Sequence, residues 1–310
     1  MQPILVEVVR GSVVEARHRV HAVAVSDGDV VAVAGDAGFV TFLRSSAKPL
    51  QALPLVRARP ELDDAEIAIA CASHLARPEQ LDAVRSLLAK APATEADLEC
   101  GHEPKRLEHN CSGKHAGMLA LCRAEGWNAP GYRLAEHPCQ RALLAQVAAA
   151  AEVAPDSIGK AVDGCGVVTF ALPLERMAHA FSRLPALDGG ARVAAAMRAH
   201  PDLVRGPRAA DTMLMRTLPG WVAKGGAEGL FCASSGGGVG VALKAEDGST
   251  RAVRPAIAAF LARLGLETGV LGVVAVESSR GEVVGELRAL CCMAHGTPVD
   301  EGFTKRAESD

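Results

Sequence analysis

The chain is poor in aromatic residues. Phe, Trp and Tyr make up 3% of its 310 residues, and Tyr132 is the only tyrosine. A surface that stacks nucleic-acid bases needs such rings beside clustered Lys and Arg. No basic block stands out, and 33 basic against 36 acidic side chains leave a formal net charge of -3, so nucleic acid is not an expected partner. Long hydrophobic runs are also missing. Nothing reaches the roughly 18 apolar residues that a membrane span requires, so no membrane role is expected. The opening MQPILVEVVRGS lacks the basic region followed by an apolar one that marks a signal peptide. CxxC and HExxH motifs do not occur. The nine cysteines are odd in number, and several sit in apolar runs, such as Cys71 in AIACAS and Cys122 in MLALC. That is the usage of a reduced, cytoplasmic protein rather than of a disulfide framework.

What is present is globular: 49% hydrophobic and 22% charged residues, in a chain long enough for one large domain or two joined ones. With few rings, the core must be built from Ala, Val and Leu. The first 40 or so residues read as β, in the short runs ILVEVV, SVVEARHRV, HAVAVS and VVAVA, with a hairpin signal at Asp27-Gly28. Residues 45–55 suit a helix that Pro54 should bend or end. EIAIACAS (66–73) is a buried strand or a buried helix, and periodicity does not decide between them. Amphipathic helices are predicted at 78–90, 112–125 and 138–151, with Ser112 as the N-cap of the second, and further helices at 172–184, 191–200 and 253–264. A strand over 158–168 is interrupted by Asp163-Gly164-Cys165-Gly166, and the last third returns to β in GLFCAS, VGVALKA, VLGVVAV and VVGELRAL. Strands, then helices, then strands give an α/β (α+β) fold: a mixed sheet with flanking helices, shared by strands from both ends of the chain. No internal repeat, linker or clean domain boundary is visible, and the tail from about Thr297 reads as polar and frayed.

Four constellations carry potential chemistry. Ser45-Ser46-Ala47-Lys48 is an SxxK spacing, which on a helix places serine and lysine one turn apart on one face. A lysine serves as base only when burial or a nearby cation such as Arg44 lowers its pKa. The plainer reading is a helix cap followed by a solvated lysine. Lys224-Gly225-Gly226 precedes an apolar strand, where glycine lets a substrate approach the backbone closely; the plainer reading is a turn. Ser73-His74 closes an apolar run as a site pair or as a strand-end cap. His109-Asn110-Cys111-Ser112-Gly113-Lys114-His115 opens a helix whose N-terminus would suit an anion and lower the pKa of Cys111. Cys111 and Cys165 would suit zinc if they met in space, though two buried thiols is the simpler reading of the spacing. GHEP (101–104), His18, His21, His179, His295 and Cys291-Cys292 read as structural or surface residues.

The order and wording of these stretches are more specific than any one of them. RSSAKPLQALPLV (44–56), CASHLARPEQ (71–80), HNCSGKHAGMLALC (109–122), DGCGVVTFALPL (163–174), AHPDLVRG (199–206), VAKGGAEGLFCA (222–233) and GVGVALKAEDG (238–248) resemble the L-asparaginase II family of plants and bacteria, in its Rhizobium etli-like form. The resemblance runs from about residue 5 to 292.

That resemblance implies hydrolysis of L-asparagine to L-aspartate and ammonia on a fold like that of serine β-lactamases and glutaminases. It implies one catalytic unit over 1–310, with room for a helical subdomain around 75–200, and a homodimer. It carries two serine–lysine tandems onto Ser45 with Lys48 and Ser73 with Lys224, and a zinc site onto Cys111, Lys114 and Cys165. The zinc would orient substrate or tether the helix to the DGCG turn and need not be essential; no organic cofactor is expected. Arg44, His74, His115, Asp163, Gly225 and Gly226 fall on positions around the pocket. The rival expectations are a penicillin-recognising serine acylase, a glutaminase, and a non-catalytic amino-acid- or zinc-binding protein. The missing hydroxyl at Gly225 weighs against the first.

Overall fold

The structure is a computed structural model that describes residues 1–101 and 105–290. Part of the GHEP stretch, Cys291, Cys292, His295 and the polar tail lie outside the described residues. The strands, in chain order, are β1 (Ile4–Arg10), β2 (Val13–Ser26), β3 (Asp29–Ala34), β4 (Val40–Phe42), β5 (Gly159–Val162), β6 (Val168–Pro173), β7 (Val222–Gly225), β8 (Leu230–Ser234), β9 (Val239–Ala245), β10 (Val274–Glu277) and β11 (Val283–Leu290). The helices are α1 (Lys48–Ala58), α2 (Asp64–Ala70), α3 (Pro78–Lys90), α4 (Ser112–Ala124), α5 (Pro138–Ala151), α6 (Leu174–Arg183), α7 (Gly190–Ala199), α8 (Pro201–Val204), α9 (Ala210–Thr217) and α10 (Val253–Arg263). The chain folds as two compact units. The first holds Met1–Thr41, Pro173–Arg183 and the chain from Met213 onward; the second holds Phe42–Leu172 and Leu184–Thr212.

The first unit is an antiparallel sheet in the order β10-β11-β1-β2-β9-β8-β7, with β3 also on β2. The expected mixed α/β class and the sharing of one sheet by both ends of the chain are therefore met, but the sheet is antiparallel rather than mixed, because its neighbouring strands run in opposite directions in each described pairing. Two runs predicted as separate strands are one: β2 continues unbroken through Arg19-Val20-His21. Its first half pairs with β1 and alternates in burial, while its second half lies between β3 and β9 and is buried at every position. The Asp27-Gly28 turn takes positive φ at both residues, +53° and +89°, as a tight two-residue hairpin requires. Helix α6 lies directly on β9, because a Cβ on Gly240 would come within 2.0 Å of the Ala178 carbonyl oxygen. The few large rings are spent on the interior: Trp221, Phe181, Phe231 and Phe260 in this unit, Tyr132 and Phe170 in the second.

The second unit is built from helices α1–α5, α7 and α8, with the β5–β6 hairpin. The ambiguous EIAIACAS run resolves as helix. Asp63 accepts from the Glu66 N–H at 2.8 Å, and the Glu66 side chain accepts from the Asp63 N–H at 3.0 Å, a capping box that starts α2. Helix α1 runs past Pro54 to Ala58, since Leu50, Leu53, Leu55 and Val56 are all buried and packing outweighs the lost N–H. Ser112 is not the N-cap of α4: Cys111 takes that place, and Ser112 is the first helical residue with its hydroxyl turned inward. Helices α2 and α4 touch backbone to backbone, since a Cβ on Gly113 would lie 2.2 Å from the Ile69 carbonyl oxygen. This contact brings the end of α2 beside the start of α4, where the His74 N–H donates to the Asn110 carbonyl at 3.1 Å. Gln80, fully buried, ties the following loop to residues 202–205 through its side-chain amide.

Gly113→Ala should therefore push α4 off α2. Overpacking of this kind costs about 1–3 kcal/mol, and urea unfolding is expected to show a midpoint lowered accordingly with an unchanged m-value.

Candidate active site

The SxxK stretch begins where the chain leaves a left-handed residue. Arg44 has φ +47°, uncommon for a residue with a side chain. It is held there by the β5–β6 hairpin. The Leu43 N–H donates to the Phe170 carbonyl at 2.8 Å, the Arg44 N–H to Thr169 Oγ1 at 3.2 Å, and Arg44 Nε to Asp163 Oδ1 at 2.8 Å. The Asp163-Gly164-Cys165-Gly166 segment is the turn the sequence suggested. The Gly166 N–H donates to the Asp163 carbonyl at 2.8 Å, and Gly166 takes φ +83°. Ser45 follows on a 3-10 turn over Arg44–Ala47 and is half-buried, whereas Lys48, the first residue of α1, is buried.

The Lys48 amino group is the centre of the cluster. Its Nζ donates to the Ala72 carbonyl, lies 3.0 Å from Ser73 Oγ and reaches Cys111 Sγ at 3.4 Å. The spacing pairs Lys48 with Ser45; the direct hydrogen bond that the fold gives it is with Ser73, which no spacing rule announces. Ser73 sits just past the end of α2, fixed by its N–H to the Val204 carbonyl at 2.8 Å. The sulfurs of Cys111 and Cys165 hydrogen-bond each other, and Lys114 Nζ donates to Cys165 Sγ at 3.0 Å.

Charge sorts these groups. The hydrogen bond from Cys165 lowers the pKa of Cys111 against burial, helped by Lys48 and Lys114, so Cys111 ionises more readily and Cys165 less so. Burial lowers the pKa of Lys48, opposed by Cys111 and aided by the charge of Lys114. Burial also works against charge on Lys114, but the two sulfurs overcome it and raise its pKa.

The sequence model of the L-asparaginase II family matches residues 6–289. The chain belongs to the L-asparaginase II family. No curated protein matches it. The family points to an asparaginase-type hydrolase with a small-molecule substrate. Among the described residues no helix is long and apolar enough to cross a membrane.

Within this asparaginase II chain, the second unit brings together Arg44 with Asp163, Lys48 with Ser73 and Cys111, and Lys114 with Cys165. Lys224, Gly225 and Gly226 belong to the first unit, where Lys224 is fully buried on β7 and its Nζ donates to the Gly225 carbonyl at 2.7 Å; the KGG stretch is the end of a strand rather than a free turn. His74 has both ring nitrogens engaged inside the protein. Nε2 meets Ser112 Oγ at 2.8 Å, and Nδ1 accepts from the Ala76 N–H at 3.1 Å. Ser112 Oγ spends its own proton on the Leu107 carbonyl, so Nε2 is the donor and the ring is neutral. His74 thus braces the start of α4 and has no nitrogen left for a ligand. His115 is fully buried, with Nδ1 at 2.7 Å from the Tyr132 hydroxyl. Sequence reasoning passed over Tyr132 and Glu99 in this setting; a lone tyrosine in a chain short of rings was the only signal. His18 and His21, for which the sequence offered no partner, are tied to Asp247 and Arg251 and to Glu246 in the first unit.

Zinc fits the donors on chemical grounds. Among the described residues no group of three or more His, Cys, Asp or Glu side chains is placed to hold a metal ion. Cys111, Cys165 and Lys114 would nevertheless offer zinc two thiolates and an amine once Cys165 and Lys114 give up their protons on binding.

Burial first, and the positive charge of Lys48 when that amine is protonated, lowers the His74 pKa from 6.5 to about 4. Between those values the unfolded chain binds the proton and the fold does not, so stability is full above pH 6.5 and is lost as pH falls toward 4. The contribution is on the order of 3 kcal/mol. His74→Gln should flatten the acid limb of a urea-unfolding pH series by about one proton.

Proposed function

We propose that this chain hydrolyses the side-chain amide of L-asparagine, giving L-aspartate and ammonia through an acyl-enzyme on Ser45. The observation that carries the reading is the Lys48 amino group, buried and 3.0 Å from Ser73 Oγ, in a chain whose Ser45 stands one helical turn before Lys48. Ser45 is half-buried and Ser73 only 4% exposed, which favours Ser45 as the hydroxyl that an incoming substrate meets first.

Lys48, whose buried setting favours the free amine, takes the Ser45 hydroxyl proton in that form as the oxygen attacks the amide carbon. Backbone N–H groups beside Ser45 hold the oxyanion. Collapse of the tetrahedral intermediate breaks the C–N bond, and the proton on Lys48 passes through Ser73 to the departing nitrogen, which leaves as ammonia. The β-aspartyl ester is then hydrolysed by water, with Lys48 again accepting the proton and returning it to Ser45. Arg44 and Asp163, ion-paired at 2.8 Å, offer opposite charges to the α-carboxylate and α-ammonium of the substrate. Lys224 enters from the family resemblance as the partner of Ser73, and Gly225 and Gly226 as backbone that a substrate can approach. An antiparallel sheet in one unit and a helical second unit support a β-lactamase-like architecture, and a homodimer is part of the same reading.

Cys111, Cys165 and Lys114 would hold zinc. When bound, the metal would supply a Lewis-acidic centre that orients the substrate.

Ammonia release from asparagine and glutamine, with nitrocefin hydrolysis followed separately by its colour change, tests the reading directly. Ser45→Ala should lose ~10³-fold or more of kcat/KM and trap no acyl-enzyme. Ser73→Ala should lose ~10²-fold, as does a displaced proton relay. Full turnover by Ser45→Ala would end the assignment, and nitrocefin hydrolysis without asparagine turnover would move the chain to the β-lactam acylases.

Cys111→Ser and Cys165→Ser should each abolish stoichiometric zinc by elemental analysis. If zinc only orients substrate, the metal-free wild type keeps kcat within roughly tenfold while KM rises.

A further inference from the structure

One buried ring nitrogen near the cluster has no partner among the described residues. His115 Nε2 is inaccessible to solvent and has no hydrogen-bond partner among the described residues. The other nitrogen of the same ring is tightly specified. The Tyr132 hydroxyl accepts from the Glu99 N–H at 2.8 Å and lies 2.7 Å from His115 Nδ1. A phenol has a single proton to give. Nδ1 is the only acceptor within reach of that proton among the described residues, so the phenol donates to Nδ1, the unprotonated nitrogen. The ring proton then sits on Nε2.

The relay is held firmly. Tyr132 is fully buried, its ring meets His115 edge-on at 5.5 Å, and its carbonyl accepts from Gln140 Nε2 at 2.8 Å. The Glu99 side chain in turn accepts from the Gly131 N–H at 2.7 Å, closing the loop that carries the tyrosine. A buried donor left unpaired is costly, by about 1–3 kcal/mol. His115 directly follows Lys114 and stands one turn beyond Cys111, with its N–H on the Cys111 carbonyl at 3.0 Å. The neighbouring side-chain nitrogens, Lys48 and Lys114, are cationic groups or their conjugate amines. A neutral N–H adds a donor there without adding a third positive charge.

We propose that Tyr132 is a positioning residue: it locks His115 in the Nε2–H tautomer and aims that N–H at an oxygen of the bound substrate. The inference rests on the asparaginase reading for the identity of the substrate, but the tautomer is a property of the free protein. Asparagine presents two carboxylate oxygens and an amide oxygen, all acceptors. The contact forms in the bound ground state, so its loss appears in KM.

The test combines nitrogen-15 NMR of the histidine side chains with steady-state kinetics. In the wild type, the His115 signal, assigned by its absence from His115→Gln, should show the Nε2–H pattern, and its Nε2 resonance should move on saturation with L-aspartate. Tyr132→Phe should give a mixed tautomer and raise KM for asparagine about tenfold, the worth of one hydrogen bond, with kcat within roughly twofold. His115→Gln, whose amide nitrogen stands near the Nε2 position, should keep a low KM, and His115→Asn, which places it near Nδ1, should not. An Nδ1–H pattern in the wild type, an Nε2 resonance unmoved by L-aspartate, or a mixed tautomer with wild-type KM would each overturn the inference. A wild type that binds L-aspartate with the expected shift yet releases no ammonia would sink the asparaginase reading and leave the tautomer lock standing.

Discussion

The constraint on which the rest of the site depends is the burial of two lysines. Lys48 and Lys114 lie inside the second unit, 1% and 6% exposed, where a charged amine without compensation is expensive. Each group around them is a response to that cost. The Ala72 carbonyl and Ser73 hydroxyl give Lys48 polar partners, Cys111 supplies negative charge within reach of it, and Cys165 gives Lys114 an acceptor. A reactive amine beside a hydroxyl is therefore a consequence of where the side chain has been put rather than an added device.

Placing four such groups together takes three chain segments that are distant in sequence, and the fold uses helix ends and a turn to do it. Ser73 follows the last turn of α2, Cys111 caps α4, and Cys165 occupies the tip of the β5–β6 hairpin. Helix ends leave backbone groups unpaired, so the joints between them must be satisfied individually. That is the work of His74, wedged between the Ser112 hydroxyl and the Ala76 N–H, and of Gln80, whose amide spans two loops. The absence of a side chain at Gly113 allows the backbones of α2 and α4 to approach closely enough for these short bridges to reach.

How much of this could be read in the sequence varies by element. The amphipathic helices α3 and α5 match their predicted spans, since period and boundary signals agree there. The EIAIACAS run was undecidable by periodicity because it is apolar all round, yet Asp63 and Glu66, three residues apart, already spelled the capping box that makes it helical. Ser112 misled for the opposite reason: a good N-cap residue by type is drawn inward by the Leu107 carbonyl and His74, and the cap falls to Cys111. The meeting of Cys111 with Cys165 was suggested by the resemblance and not by spacing. The Lys48–Ser73 hydrogen bond, like the Tyr132–His115 pair, depends on packing between helices and loops, and nothing local in the chain encodes it.

Counting charge in the cluster shows why one amine should be neutral. Two lysines and two cysteines share the interior, and a pair of ammonium groups beside a single thiolate would leave a net positive charge with little water to screen it. The hydrogen bond between the sulfurs favours one thiolate and one thiol, so Cys111 ionises more readily and Cys165 less so. Lys114, facing both sulfurs, holds its proton more tightly, whereas burial and the charge of Lys114 both push Lys48 toward the free amine. The asymmetry follows from position: Lys114 has Cys165 at 3.0 Å, whereas Lys48 has Cys111 only at 3.4 Å and spends its other contacts on uncharged oxygens. The nitrogen beside Ser73 is then the one that its setting pushes furthest toward the free amine.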